Sequence, residues 1–470
     1  MRLSFLASAA LAGVVAVSAA AVSTNRRLLL LERRDNATTA DDDFTLPPSN
    51  STWYDPPSGS SEKEDGAVLK SRKVSTAFDG YSTAYQLLYR TTDAHGGADA
   101  TNTLVFVPPE PVSPPRIVLY LAPADTAAAD CSLQYAALTG TQSNAGLGTV
   151  ATNILASLSK GYYVSFPDHE GSQAAYISGV TEARAALDGL KALLNFDTAL
   201  PSKEGYKAVI DGYSGGGHAA GWATQYLTTY GKDLNVVGAS MGGVPVTLAH
   251  TLDLISGSNS TSLVFSALAG LANTDSVLDT WLSENLHENG TTAIAEARKN
   301  ANCLGASTSV AASYAGANLY SFFKGGEAAL HEGYMAGVLA AAKLGEPMPD
   351  GNDGVFAPIP VFLYHSKVDD VVSYTPIRPF WLDQCKKGAK IHLATTTGYD
   401  HITTYLQYLG DSFRFLDRAF EGTTGLDSCV ATDGVEAEVL SEEYVQSIGE
   451  VAANNLQAIL GLANSTTGRV

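Results

Sequence analysis

Short, almost wholly apolar runs recur along the middle of the chain, each bounded by residues that favour turns. Runs of this kind are typical of strands buried on both faces of a parallel sheet. Segments with helical spacing of apolar residues separate several of them, notably residues 181–194 and 217–230. The alternation of strand and helix predicts a doubly wound α/β sheet. The predicted core strands are residues 117–122, 162–166, 207–210, 236–239, 360–364 and 391–394.

Two segments ahead of these runs have a different period. Residues 85–92 and 103–107 alternate between apolar and polar side chains, and the pair Gly96-Gly97 lies between them. A two-residue period around a glycine turn is typical of paired strands. We therefore expect an antiparallel entry to the sheet.

A long stretch from about residue 247 to residue 344 is rich in Ala, Leu, Ser and Gly, has helical spacing and contains no clear strand pattern. It lies between two predicted core strands. Because ligands bind at the carboxyl edge of such sheets, an insertion here predicts a mostly helical cap over that edge. The alternative is a set of ordinary crossover helices.

The N-terminus has the pattern of an export signal. A basic start is followed by an apolar run over residues 3–17 and then by small residues up to position 21, which predicts a signal peptide over residues 1–21. A membrane anchor fits less well because the run is shorter than the ~20 residues that a spanning helix needs. Residues 22–65 are polar and contain proline pairs, so we expect a flexible leader or propeptide before a folded domain at residues 66–470.

Sequons for N-glycosylation agree with a secreted, extracellular protein. An oligosaccharide is added to Asn-x-Ser/Thr only in the secretory pathway, and some matches arise by chance. The five candidate asparagines are Asn36, Asn50, Asn259, Asn289 and Asn464.

The cysteine count points the same way. Cys131, Cys303, Cys385 and Cys429 are even in number, widely spaced and without a CxxC pair. In an exported chain this pattern favours two disulfides. The pairing of Cys385 with Cys429 and of Cys131 with Cys303 is preferred, since the first pair closes a compact C-terminal loop. Four buried free thiols are the alternative.

Composition limits the classes of function. The chain has 470 residues, of which 45% are hydrophobic and 16% charged, so it can bury a large core as one elaborated domain. The net charge of −19 and the absence of clustered Lys and Arg exclude a nucleic-acid surface, because a polyanion needs cationic side chains. We expect a monomer without a transmembrane segment.

One segment carries the pattern of a nucleophile. The strand at residues 207–210 leads into Gly-Tyr-Ser-Gly-Gly at residues 212–216, and a helical pattern follows. This is the context of a nucleophile elbow, where the residues two before and two after a strained serine must be small. Ser214 is therefore the candidate nucleophile. A dinucleotide-binding turn through residues 215–220 fits less well, because such a turn follows the first strand of its domain.

The serine needs partners. An imidazole must take its proton, and a carboxylate must orient that imidazole. In such folds the acid and then the histidine follow the nucleophile, each in a loop after a core strand. Asp369 and His401 lie in the two loops that fit this order. The pattern alone leaves Asp370 open as a rival to Asp369.

A tetrahedral intermediate also needs two donors for its negative oxygen, one of them the backbone N–H after the nucleophile. That residue is Gly215. The second donor is expected in the loop after residue 122, where Pro123 has no N–H, so Ala124 or Asp125 must supply it.

The segment Asp-His-Glu at residues 168–170 also follows a core strand. It lacks further His or Cys partners at metal-ligand spacing, and no HExxH motif occurs. We expect these residues to shape the pocket through hydrogen bonds, and we expect neither a metal nor a cofactor.

Further motifs extend the pattern over most of residues 81–429: Tyr89-Arg90-Thr91-Thr92-Asp93, Asp130-Cys131, Asp168-His169-Glu170-Gly171, Val237-Gly238-Ala239-Ser240, Val371-Val372, Gln384-Cys385 and Phe420-Glu421-Gly422-Thr423-Thr424. With the elbow, Asp369 and His401, they resemble the fungal secretory lipases typified by Candida antarctica lipase A. The resemblance implies an α/β-hydrolase fold, triacylglycerol lipase activity, a triad of Ser214, Asp369 and His401, and a cap over an acyl tunnel. It also implies an oxyanion hole from Asp125 and Gly215, and two disulfides.

The expected function is hydrolysis of carboxylic esters of lipids through an acyl-enzyme on Ser214. A short-chain carboxylesterase or an acyltransferase is an alternative, since the same triad serves both. A catalytically silent binding protein of this fold is a further alternative, and the intact triad residues disfavour it.

Overall fold

The computed structural model describes residues 44–140, 147–299, 303, 313–460 and 462. The predicted signal peptide, the first part of the predicted leader, Asn36 and Asn464 lie outside these residues.

The strands of the described residues form one mixed sheet. In chain order they are β1 (Val68–Val74), β2 (Thr83–Thr92), β3 (Ala98–Val107), β4 (Arg116–Leu121), β5 (Tyr163–Pro167), β6 (Lys207–Tyr213), β7 (Val236–Gly242), β8 (Pro360–Ser366), β9 (Lys390–Thr396) and β10 (Val430–Asp433). Their order across the sheet is β1-β2-β3-β5-β4-β6-β7-β8-β9-β10. β1, β2, β3 and β5 pair antiparallel, and the pairs from β5 to β10 are parallel.

Every predicted strand is present, and the two edge strands are additional. The central strands are buried almost throughout, which is why their sequences are continuous apolar runs. At the edges, the middle of β1 is a polar run that includes Lys70, Arg72 and Lys73, and all four residues of β10 are exposed. An edge strand that carries charges or buries nothing has no apolar signal in the sequence.

The helices cover both faces of the sheet. In chain order they are α1 (Leu133–Thr139), α2 (Leu147–Ser159), α3 (Gly179–Leu194), α4 (Gly215–Tyr226), α5 (Leu248–Ile255), α6 (Ser262–Thr274), α7 (Ser276–Asn285), α8 (Glu288–Ala297), α9 (Ala328–His331), α10 (Gly333–Ala341), α11 (Ile377–Lys386), α12 (His401–Glu421), α13 (Glu442–Ile448) and α14 (Glu450–Ile459). α3 and α4 pack with α11 in one apolar cluster, and α1 and α2 pack with the C-terminal part of α12 in another.

Six of these helices, α5 to α10, lie between β7 and β8 and have an apolar core of their own. Phe265 and Leu282 are almost completely buried in it, together with Met335. Burying a side chain of this size contributes about 1.5–3 kcal/mol. Tyr176 and Ile177 from the main domain belong to the same cluster, so the helices pack directly on the loop that follows β5.

The described part of the predicted leader packs on the domain. Three short 3₁₀ turns lie between Pro48 and Glu62, and the indole of Trp53 is buried beneath the Arg72 guanidinium at 4.2 Å. Ser49 bonds the carboxylate of Asp130 through its backbone N–H at 2.7 Å and its hydroxyl at 2.6 Å. From residue 44 onward this segment is therefore part of the folded unit.

The four cysteines form two disulfides. Cys131 pairs with Cys303 at a Cα–Cα distance of 5.1 Å, and Cys385 pairs with Cys429 at 5.9 Å. The second bond ties the end of α11 to the residue just before β10. This is the pairing preferred from the sequence, and the alternative of four free thiols does not hold.

Candidate active site

β6 ends in a tight turn at Ser214, and α4 begins at the next residue. The serine has φ 58° and ψ −124°, a backbone conformation that residues other than glycine rarely adopt. The flanking glycines make the turn possible. A Cβ on Gly212 would lie 2.2 Å from the carbonyl oxygen of Gly216, and a Cβ on Gly216 would lie 2.0 Å from that of Leu121.

His401 lies between Ser214 and an acidic residue. Its Nε2 is 2.9 Å from Ser214 Oγ, and its Nδ1 is 2.8 Å from Asp369 Oδ2. The other carboxylate oxygen, Oδ1, accepts hydrogen bonds from the backbone N–H groups of Val371 at 2.9 Å and Val372 at 2.7 Å. This arrangement fixes the carboxylate and directs its free oxygen at the imidazole.

The neighbouring acid has a different position. Asp370 Oδ1 accepts a hydrogen bond from the backbone N–H of His401 at 3.0 Å. The two acids that sequence alone left open are thus separated by geometry. Asp369 faces the ring of His401, and Asp370 anchors its backbone.

Burial and charge shift the ionisation of this pair in opposite directions. Burial alone favours the neutral form of each side chain, but the attraction between them outweighs it. The pKa of Asp369 is therefore below its ordinary value. The pKa of His401 is above its ordinary value because Asp369, Asp125 and Asp370 favour the imidazolium.

Tyr213 and His365 support the pair formed by His401 and Asp369, and neither role was predicted from the sequence. The Tyr213 hydroxyl donates to the carbonyl oxygen of His401 at 2.6 Å. His365, fully buried on β8, lies with Nε2 3.0 Å from the Val372 carbonyl oxygen and 3.6 Å from Asp369 Oδ2. Burial lowers the pKa of His365, so its neutral form donates to the carbonyl and braces the loop that carries the acid.

The loop after β4 brings a second carboxyl to the serine. Asp125 has φ 53° and is buried, and a Cβ on Gly215 would lie only 2.0 Å from its Oδ1. Oδ1 has no hydrogen-bond partner. Burial, partly offset by His401 and the Tyr176 hydroxyl, raises the pKa of Asp125 to about 6. The two residues expected to bind the oxyanion therefore lie in contact, next to the nucleophile.

An apolar pocket opens beside the serine. Ser214 and Gly215 form part of its wall, and most of the remaining wall comes from α5 and α6. Other lining residues are Tyr176, Ile177, Pro245, Leu339, Val371 and Val372. The space suits a hydrocarbon chain because the lining is almost entirely aliphatic.

The segment at residues 168–170 lies behind this site. Glu170 Oε1 accepts from the backbone N–H of Thr126 at 3.4 Å, next to Asp125. Burial raises the pKa of Asp168 to about 7 and raises that of Glu170 well above its ordinary value. Among the described residues no group of three or more His, Cys, Asp or Glu side chains is placed to hold a metal ion.

The chain has relatives of known sequence that match most of its length. The sequence model described as "Secretory lipase" matches residues 141–428. Lipase A of Moesziomyces aphidis is 33% identical over 402 residues, which is 84% of this chain and 85% of that protein. The chain belongs to the secretory lipase family. A secreted triacylglycerol lipase of Malassezia globosa is 28% identical over 403 residues, covering 83% of this chain and 86% of the relative.

Solved structures agree with the assignment. The closed state of Candida antarctica lipase A superimposes on this secretory lipase with a TM-score of 0.80 and 30% identity, covering 88% of this chain and 96% of that one. A rice cell wall degrading esterase from Xanthomonas oryzae matches with a TM-score of 0.58 and 15% identity, and this likeness concerns the fold alone. The α/β-hydrolase fold and the family expected from the sequence are confirmed, and the protein is a secreted enzyme. No helix of the described residues has the length and apolar character needed to cross a membrane.

Proposed function

We propose that this secretory lipase hydrolyses carboxylic esters of lipids, triacylglycerols among them, through an acyl-enzyme on Ser214. The observation that carries the proposal is the hydrogen-bonded series from Ser214 through His401 to Asp369, with Ser214 in the wall of an aliphatic pocket. The pocket accepts the acyl chain. Relatives named triacylglycerol lipases support the substrate class.

The reaction proceeds in two steps, formation of the acyl-enzyme and its hydrolysis. His401 takes the proton of Ser214 as its oxygen attacks the ester carbonyl, and Asp369 stabilises the imidazolium. The backbone N–H groups of Gly215 and Asp125 stabilise the negative oxygen. The imidazolium then gives its proton to the departing alcohol. Water, activated in the same way, releases the fatty acid and restores the serine.

The helices α5 to α10 serve as a cap in this proposal. α5, α6 and α10 contribute wall residues to the pocket, so a chain that enters must pass between them and the sheet edge. All residues of the site come from one chain, and the proposal needs only a monomer.

The site also fits action at a lipid–water interface. Val368 and Ile402 adjoin Asp369 and His401 in sequence and are 55% and 48% exposed. The variants Val368→Ser and Ile402→Ser should lose activity on emulsified triglyceride while retaining it on a soluble short-chain ester. Val451→Ser is the matched control, because Val451 is 54% exposed on α14, which packs against α2. Equal losses in all three variants would contradict a contact at the interface.

The central test is a series of p-nitrophenyl esters and emulsified triglycerides, measured with wild type and Ser214→Ala. Ser214→Ala should abolish hydrolysis of every substrate. Full activity of this variant would overturn the mechanism. If the wild type hydrolysed only short soluble esters, the proposed function would be that of a short-chain carboxylesterase instead of a lipase.

A further inference from the structure

A second pair of ionisable residues is buried behind the nucleophile and takes no part in the reaction above. Glu182 on α3 and His218 on α4 are both completely buried, and Glu182 Oε2 lies 2.6 Å from His218 Nδ1. The indole N–H of Trp222 donates to His218 Nε2 at 3.0 Å. Because Nε2 accepts this bond, Nδ1 carries the proton and donates to Glu182. The imidazole therefore joins the helix of the nucleophile to α3.

The other oxygen of Glu182 holds a strained loop. Oε1 accepts the backbone N–H of Ile177 at 2.9 Å. We call residues 173–178 the pocket loop. Within it Ala174 has φ 50° and Ile177 has φ 66°, and a positive φ is a rare conformation for a β-branched residue. Strain of this kind persists only where surrounding bonds enforce it.

The opposite side of the pocket loop is bonded to the cap. Asn273 on α6 donates to the carbonyl oxygens of Gln173 at 2.8 Å and Ala174 at 3.2 Å. Gly270, one turn earlier, is so close that a Cβ there would lie 2.7 Å from the backbone N and O of Tyr176. The loop is thus held between the cap helix and the buried pair.

The pocket loop also contacts the reaction site. Tyr176 and Ile177 line the pocket beside Ser214, and the Tyr176 hydroxyl lies beside the carboxyl of Asp125. A shift of the loop would change the width of the pocket near the ester and the setting of Asp125 together.

We propose that Glu182 and His218 are positioning residues that fix the pocket loop and thereby set the acyl-chain selectivity of the enzyme. The proposal rests on the esterase activity of Ser214 proposed above. Neither side chain touches the substrate. Their effect passes through the Ile177 N–H to the wall that an acyl chain must contact, so long chains depend on it more than short ones.

The test compares kcat/KM for p-nitrophenyl palmitate and p-nitrophenyl butyrate in the same mixed micelles. Glu182→Gln replaces one acceptor oxygen with a donor, so either the Ile177 N–H or the His218 Nδ1–H loses its partner. The palmitate-to-butyrate ratio should fall about tenfold. Ser214→Ala, measured alongside, separates the two proposals, because residual hydrolysis there would refute the acyl-enzyme and leave the selectivity result to be judged by itself.

Asp188→Asn is the matched control. Asp188 lies on the same helix, is equally buried and bonds Thr91 and Tyr230, away from the pocket loop. It should lower the melting temperature without changing the ratio. An unchanged ratio in Glu182→Gln, or an equal loss for both esters, would overturn the proposal.

A second variant keeps the test decisive if Glu182→Gln does not fold. Asn273→Ala removes the bonds from α6 to the pocket loop, together with those to the Ala127 carbonyl oxygen and from Arg298, and leaves the buried pair in place. The palmitate-to-butyrate ratio should fall here too, by about threefold. A folded Asn273→Ala protein with the wild-type ratio would show that the position of the loop does not set selectivity.

Discussion

Replacing each of the adjacent acids by asparagine separates their roles. In the wild type, one oxygen of Asp369 accepts hydrogen bonds from two donors, the N–H groups of Val371 and Val372, and the other oxygen faces a single donor, His401 Nδ1. In Asp369→Asn only one of these two positions can be an oxygen. The amide oxygen therefore takes the first place, and the NH₂ group faces Nδ1. Nδ1 must then accept, the proton moves to Nε2, and the imidazole loses the lone pair that it directs at Ser214.

The magnitudes follow from this geometry. A histidine held in the wrong tautomer lowers kcat by about 10⁴-fold in triads of this type. In Asp370→Asn the amide oxygen can still accept the N–H of His401, which now lies 3.0 Å from a carboxylate oxygen. The loss is then the difference between a charged and a neutral acceptor, about 1 kcal/mol or fivefold. The two variants should differ by about 10³-fold.

The pH profile provides an independent reading. His401 acts as a base only when neutral, so activity rises with pH through its pKa, which lies above the ordinary value. The negative charge of Asp370 helps to raise the pKa of His401. Asp370→Asn should therefore lower that pKa and move the acidic limb of the activity profile to lower pH. The assay is kcat/KM on a soluble p-nitrophenyl ester from pH 5 to 10, with circular dichroism as the control for folding. A larger loss in Asp370→Asn than in Asp369→Asn would refute the assignment.

Three further predictions concern the scaffold and its export. Gly216→Ala should lower the free energy of unfolding by about 3 kcal/mol, because its Cβ would lie 2.0 Å from the Leu121 carbonyl oxygen. Urea titration measures this change, and a midpoint equal to that of the wild type would contradict it. Removing the Cys385–Cys429 bond, whose cysteines are 44 residues apart, with serine at both positions should cost about 4 kcal/mol in the same titration. The exposed Asn259 should carry a glycan, so Asn259→Gln should lower the mass of the secreted protein; an unchanged mass in mass spectrometry would contradict this.

Local patterns were the most predictable part of the molecule. The elbow at residues 212–216 is defined by its own backbone, and its glycines are required by contacts within a few residues and with the neighbouring strand. The buried parallel strands are likewise visible, because burial on both faces demands apolar residues at every position. The edge strands β1 and β10 escaped prediction for the opposite reason, since they bury few side chains.

Contacts between distant residues were predictable only where a motif marked both partners. Asp369 and Asp370 differ by one position, and the residue pattern alone does not show that the first faces the imidazole while the second bonds the backbone of His401. His218 lies in the helix that follows the elbow. Its partner Glu182 lies 36 residues away on another helix, and neither residue type nor spacing links the two.

The positions of backbone strain connect these observations. Five described residues other than glycine have positive φ, namely Asp125, Ala174, Ile177, Ser214 and Leu440. Ser214 and Ile177 line the pocket, Asp125 lies against Gly215, and Ala174 belongs to the pocket loop. Each such residue costs about 1–3 kcal/mol, so the rest of the fold must supply the bonds that enforce it. Buried polar side chains around the site form those bonds. Their role explains why ionisable groups are buried here, although apolar residues in their place would make the fold more stable.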